Sequence, residues 1–116
     1  MDPTSGEYPV VIVTHRGRRT GAIRKSPLIR VVHDDTYVLV GSFGGAPRDP
    51  LWVDNLRAAP RIRLRDRDLV IDAVATLLEG ADRAPVWETA VRTFLPFASY
   101  QTRTTRELPV FRCTRS

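Results

Sequence analysis

The sequence holds one cysteine, Cys113, which excludes an internal disulfide and a cysteine-rich zinc site. Histidine is almost as scarce. His15 and His33 are the only two, set in different contexts, and neither has a cysteine, serine or acidic partner at a spacing that suggests a nucleophile or a metal centre. No apolar run approaches the roughly 20 residues that a membrane-spanning helix needs. The glycines lack Walker spacing, which argues against a triphosphate-binding loop. The opening MDPTSGEYPV is acidic before it is apolar and lacks the basic start of a secretory signal. The resulting expectation is a cytoplasmic chain without a transmembrane segment.

What is present is arginine. The chain has 116 residues, the size of one domain spanning 1–116, with 42% apolar and 27% charged residues, ordinary globular values. Its net charge is +5, and of 18 basic residues only Lys25 is lysine. Arginine grips phosphate and carboxylate through a planar fork, so the excess suits an anionic ligand. A GC-rich genome would produce the same excess, so charge supports such a ligand without identifying it.

The apolar pattern predicts six strands and two helices, with a third short helix as a variant. PVVIVT (9–14) is β-branched and reads as a buried strand, and His15 to Gly21 as a tight basic connection. Arg24 to Val32 and Tyr37 to Ser42 follow as strands, joined by a hairpin turn at His33-Asp34-Asp35-Thr36. These three are expected to form an antiparallel meander. Asp49 and Pro50 read as N-cap and first residue of a helix over Leu51 to Ala58. Arg61 to Arg65 and Leu69 to Leu77 read as two strands around an Asp66-Arg67-Asp68 turn. A helix from Gly80 to about Phe94 follows, with Val86, Trp87, Ala90, Val91 and Phe94 at helical spacing. A polar stretch, Ser99 to Glu107, leads to a last strand at Leu108 to Cys113. Strands dominating a short chain without βαβ alternation argue for a small antiparallel barrel.

Three segments could carry chemistry. In Gly17-Arg18-Arg19-Thr20-Gly21, continuing to Arg24-Lys25-Ser26-Pro27-Leu28, glycine lets the backbone approach a ligand and arginine offers charge-assisted hydrogen bonds. Alone, this is more often a solvated turn. Gly41-Ser42-Phe43-Gly44-Gly45-Ala46-Pro47-Arg48 feeds the helix that carries Trp52 and Asn55, an arrangement suited to an anion at a helix start. Trp52 suits a planar ring or plain core packing, and packing is the safer expectation. The aromatic and polar stretch Pro96 to Thr104, with Tyr100 at its centre, reads either as a lid or as a loop sealing the barrel end.

Taken in order, HRGRRTG, RKSPL, SFGGAPRDPLWVDNL and YQTRTTRELPV resemble the deazaflavin-dependent nitroreductases and quinone reductases, an actinobacterial family. The resemblance runs from about Val11 to Arg112. It implies a split β-barrel of the FMN-binding type, mainly β with some α. It also implies hydride transfer from reduced coenzyme F(420), an 8-hydroxy-5-deazaflavin, to a quinone, a nitro compound or another small organic acceptor. By position in the motifs, Arg18, Arg19 and Arg24 match basic residues on the cofactor's phosphate and acidic tail, with Pro27 beside them. Ser42, Phe43, Gly44, Gly45 and Ala46 match the phosphate-cradling loop, Trp52 the tryptophan at the cofactor site, and Tyr100 an aromatic near the substrate cleft with a catalytic role. Phe43 stands where some members carry a basic residue, so that one phosphate contact is either missing or replaced by Arg48. Leu95 and Phe97 stand where characterised nitroreductases carry tyrosines.

Other readings stay open at this stage. The same barrel binds FMN, haem or fatty acid in other proteins. Arg61, Arg63, Arg65 and Arg67 alternate along one strand face, as in a nucleic-acid binder or a solvated edge. Pairing into a homodimer and peripheral contact with a membrane are also open. His33 reads as a surface turn residue, His15 as structural, Cys113 as a small buried hydrophobe, and the paired acids as turns.

Overall fold

The computed structural model describes residues 8–116. Strand β1 (Val10–Arg16) buries Val11, Val13 and His15, every second side chain, as a pleated strand with one core-facing side must. Its antiparallel partner β2 (Ile23–Ile29) sets Ser26 opposite Val13 and Arg24 opposite His15. The connection between them closes when the Gly17 amide donates to the Ala22 carbonyl at 2.8 Å. Gly21, at φ 72°, supplies the left-handed step there.

The expected strand over Arg24–Val32 is in fact two, because Arg30 breaks it. Beyond the break, β3 (Val31–His33) and β4 (Thr36–Val40) form a hairpin. Its two central residues, Asp34 and Asp35, lie at φ 49° and 63°, the left-handed pair that two-residue hairpins favour. The remaining strands are β5 (Arg61–Asp66), β6 (Leu69–Leu77) and β7 (Val110–Arg115).

All pairings are antiparallel and the order is β2-β1-β5-β6-β7-β4-β3, seven strands where six were expected. Both antiparallel pairings of the expected meander are present, β1 with β2 and β3 with β4, but its middle strand is broken at Arg30. β2 and β3 stand at opposite ends of that order, yet only Arg30 separates them in the chain. One residue can span that gap only if the sheet curls until its two edges approach each other. This is the split barrel, reached by redirecting the chain at Arg30 rather than by a third hairpin strand. β5 lies inside the order, so its alternating arginines form the solvated face of an interior strand, not an edge.

Helix α1 (Leu51–Ala58) turns Trp52, Val53, Asn55 and Leu56 inward and ends before Pro60. It fills the curl of the sheet with Val11, Val13, Leu39, Leu64 and Phe111. Gly41 permits this close approach, since a Cβ there would meet the Val53 Cγ2 at 2.7 Å. Helices α2 (Gly80–Thr93) and α3 (Pro96–Thr102) build a second cluster around Val86, Ala90, Phe94, Phe97 and Leu108 against β3 and β4. α3 occupies what reads in sequence as a polar linker. Its sequence is too short for a clear period, and Phe97 is its one fully buried side chain.

Asp49 is not the N-cap of α1. That position belongs to Pro50, with no side-chain cap, and the Asp49 carboxylate binds Arg106 instead. His33 is not a free turn residue either. Its Nδ1 lies 2.6 Å from the Thr89 Oγ1, tying the β3–β4 hairpin to α2.

Candidate functional site

Of the hollows that α1 borders, two hold residues singled out in the sequence motifs for the cofactor. The first, about 630 Å³, is lined mainly by apolar groups, among them Pro27, Leu28, Phe43, Trp52 and Phe97, with the hydroxyls of Ser26 and Ser42. Its size lies within the range of small-molecule sites. The second, about 420 Å³, is lined by Gly17, Arg18, Arg19, Thr20 and Arg24 from the β1–β2 connection and by Leu51, Asp54 and Asn55 from α1. The helix thus borders both an apolar chamber and a cationic one.

Most of the sequence-predicted site residues gather here. Arg18, Arg19 and Arg24 frame the cationic chamber; Pro27, Ser42, Phe43 and Trp52 line the apolar one. Trp52 packs in the core, as the safer expectation had it, and also lines the apolar cavity. It is buried against Phe111, ring centroids 5.8 Å apart, and presents a face to the cavity.

The glycine loop is built differently from an open cradle. The Gly45 amide donates to the Ser42 carbonyl at 2.8 Å and the Ala46 amide to the Phe43 carbonyl at 3.0 Å, so both are already engaged. Gly45, at φ 80°, lies so close to α3 that a Cβ would meet the Tyr100 carbonyl oxygen at 2.6 Å. Gly44 is the open member, with nothing near its Cβ position. Phe43 has φ 45°, a left-handed conformation that is costly for an aromatic residue, and its side chain is 54% exposed at the cavity.

What holds that strained loop is Arg106. Its guanidinium donates to the carbonyls of Gly41 (3.1 Å), Ser42 (2.9 Å) and Ala46 (2.8 Å) and to the Asp49 carboxylate (2.7 Å). Sequence reading quotes Arg106 within a motif and assigns it nothing. The only signal is its place among the polar residues ahead of the last strand, and that cannot reveal four acceptors some 60 residues away.

Tyr100 lines neither cavity. Its ring lies 6.3 Å from that of Phe94, and the Arg103 guanidinium stands 5.6 Å from its centroid. Arg48 borders a separate surface hollow with Asp49, Arg57 and Arg106, not the apolar chamber. Phe97 is in the chamber wall, whereas Leu95 is exposed.

Two polar side chains among the described residues are buried, His15 and Asn55, and they touch. The Asn55 Nδ2 is 3.3 Å from the His15 Nδ1, and the Asn55 Oδ1 accepts from the Arg18 amide at 2.8 Å. The His15 Nε2 is 2.9 Å from the Ser26 Oγ. Burial, and then the charge of Arg24, push the His15 pKa below its ordinary value of 6.5, so the ring is held neutral. The alternation Val11, Val13, His15 signals an inward histidine. Its partners come from other elements and carry no such signal.

Away from the site, Asp66 accepts from Arg30 at 2.8 Å and Tyr37 at 2.6 Å. Burial raises its carboxyl pKa, but these hydrogen bonds outweigh it and hold the group below its usual value. Cys113 is buried and its thiol is pushed up to about 12, so it is inert as a nucleophile.

The fold and motifs have counterparts. A solved F(420)-H2 dependent reductase, FDR-A, superposes with a TM-score of 0.85 and 40% identity, covering 90% of this chain and 93% of that one. Another structure, described as a domain-swapped dimer, superposes equally well, covering 79% of its own chain. The heme storage protein HutZ of Vibrio cholerae, 14% identical with a TM-score of 0.68, shares the fold alone. In sequence, the chain is 29% identical over 113 residues to the F(420)H(2)-dependent quinone reductase Rv1261c of Mycobacterium tuberculosis, covering 95% of this chain and 76% of that protein. The family model described as F(420)H(2)-dependent quinone reductase matches residues 4–115. Since that match spans the curled sheet, α1 between its two cavities and the loop Arg106 holds, this chain belongs to the F(420)H(2)-dependent quinone reductase family.

Proposed function

We propose that the protein is an oxidoreductase that uses reduced coenzyme F(420), the 8-hydroxy-5-deazaflavin, to reduce a quinone. The carrying observation is the pairing of an apolar chamber with an arginine-lined one across a single helix. A ligand with a planar apolar ring at one end and an acidic tail at the other suits that division. The donor set fits as well: Arg18, Arg19 and Arg24 are exposed, with guanidinium groups free of carboxylate partners among the described residues. Charge-assisted hydrogen bonds from such groups select anions.

When bound, the deazaflavin supplies the hydride; the chain supplies placement and surroundings. Arg18, Arg19 and Arg24 hold the anionic tail, and Ser42 with the Gly44 backbone borders the phosphate. Pro27 and Trp52 confine the ring, and Phe43 and Phe97 give the acceptor an apolar place beside it. These walls exclude water, which protects a hydride donor from side reactions. No nucleophile or acid pair is needed, in keeping with the scarcity of cysteine and histidine.

The test is to mix the purified protein with reduced F(420) and follow its oxidation by menadione, with a nitroaromatic in parallel. Protein-dependent oxidation by the quinone is expected. No acceleration with either acceptor, and no binding of the cofactor, would refute the assignment.

A further inference from the structure

The hydrogen bonds around His15 have a direction, and it can be read from one end. The Arg18 backbone N–H can only donate, so the Asn55 oxygen must face it. That orients the Asn55 NH2 toward the His15 Nδ1, which must therefore accept. A neutral imidazole accepting at Nδ1 carries its proton on Nε2, and that N–H donates to the Ser26 Oγ. The Ser26 hydroxyl then has its oxygen engaged and its hydrogen available, with no protein acceptor recorded for it among the described residues. Ser26 lines the apolar chamber.

The relay thus starts at the basic turn and ends inside the ring cavity, buried along its length at His15 (3% exposed) and Asn55 (7%). We infer that Ser26 donates a hydrogen bond to a carbonyl oxygen of the deazaflavin ring, and that His15 and Asn55 are positioning residues that fix the direction of that donor. This rests on the deazaflavin reading above. A half-buried hydroxyl held as a donor in an apolar wall favours a ligand that offers an acceptor there, since such a ligand satisfies the donor while covering the wall.

The relay can be checked first in the protein alone. Nitrogen-15 NMR of labelled histidine, assigned with a His33→Gln variant, should show His15 as the Nε2–H tautomer. An Nδ1–H tautomer or a doubly protonated ring would overturn the inference. Next, fluorescence titration with F(420) should show Ser26→Ala raising Kd about tenfold, the weight of one hydrogen bond, and Ser26→Thr restoring it.

Asn55→Asp tests the direction itself. A carboxylate still accepts from the Arg18 amide but cannot donate to Nδ1. His15 would then turn its proton toward Asp and its Nε2 lone pair toward Ser26, pulling the hydroxyl hydrogen away from the cavity. In that background, Ser26→Ala should cost nothing further, both with F(420) and with a truncated deazaflavin lacking phosphate and tail. Full additivity of the two changes, or wild-type affinity in a folded Ser26→Ala, would overturn the inference while leaving the cofactor assignment intact. A wild-type chain that binds no deazaflavin would instead bring down the cofactor assignment, and this inference with it.

Discussion

Two sets of arginines border the same site and do opposite work. Arg106 directs its guanidinium to three carbonyls and one carboxylate of the Gly41–Asp49 loop and is largely buried doing so. Arg18, Arg19 and Arg24 stand around the neighbouring chamber, exposed and without carboxylate partners among the described residues. Residue type and charge per side chain are the same in both. What separates a structural arginine from a ligand-binding one is whether the protein has already satisfied its donors. The Arg106 clamp holds the loop in which Phe43 is left-handed at the cavity, while the open set lines the neighbouring chamber.

That contrast breaks most visibly at the clamp. Arg106→Ala should destabilise the fold by about 3–5 kcal/mol, because Asp49 and several carbonyls lose a buried charged partner together. The readout is the urea midpoint, which should fall well below that of the wild type. A midpoint shift within error would mean that the loop holds its shape without the clamp.

The open set should respond the other way. Arg24→Ala should leave the urea midpoint unchanged yet weaken F(420) binding by roughly tenfold or more, the weight of one charge-assisted hydrogen bond. Wild-type affinity should also drop as salt rises, since exposed charges are screened beyond about 10 Å at 0.1 M ionic strength. Unchanged affinity in the variant would show that the chamber does not hold the tail.

The smallest effect is expected at Tyr100, which lies outside both chambers and packs on Phe94 and Arg103. Tyr100→Phe keeps the ring and removes only the hydroxyl. Stability should move by less than about 0.5 kcal/mol, and quinone turnover should be unaltered. A large loss of turnover at wild-type affinity would restore the catalytic role that its motif position suggested.

The sequence was informative where the signal is local. Strand alternation, the helical spacing over Gly80–Phe94 and the glycines of the basic turn are set by side-chain periodicity and φ preference, so these elements stand close to where they were expected. The four motifs are legible for the same reason, each being a contiguous stretch, and most of the residues they single out line the two chambers beside α1. Arg30 was misread as strand interior because the pattern on either side of it is apolar, and no local rule marks where a sheet must curl. Asp49 has the chemistry of an N-cap, but the pull of the Arg106 guanidinium, distant in sequence, decides its partner.

By itself, then, the sequence determined a small arginine-rich β-domain and its family motifs. Only the tertiary structure decided which arginines lack carboxylate partners among the described residues, that His15, Asn55 and Ser26 come together, and that α1 borders both an apolar chamber and a cationic one. The physical reason is range. Periodicity and turn preference act over a few neighbouring residues, whereas the satisfaction of a hydrogen-bond donor depends on what the fold brings to it from anywhere in the chain.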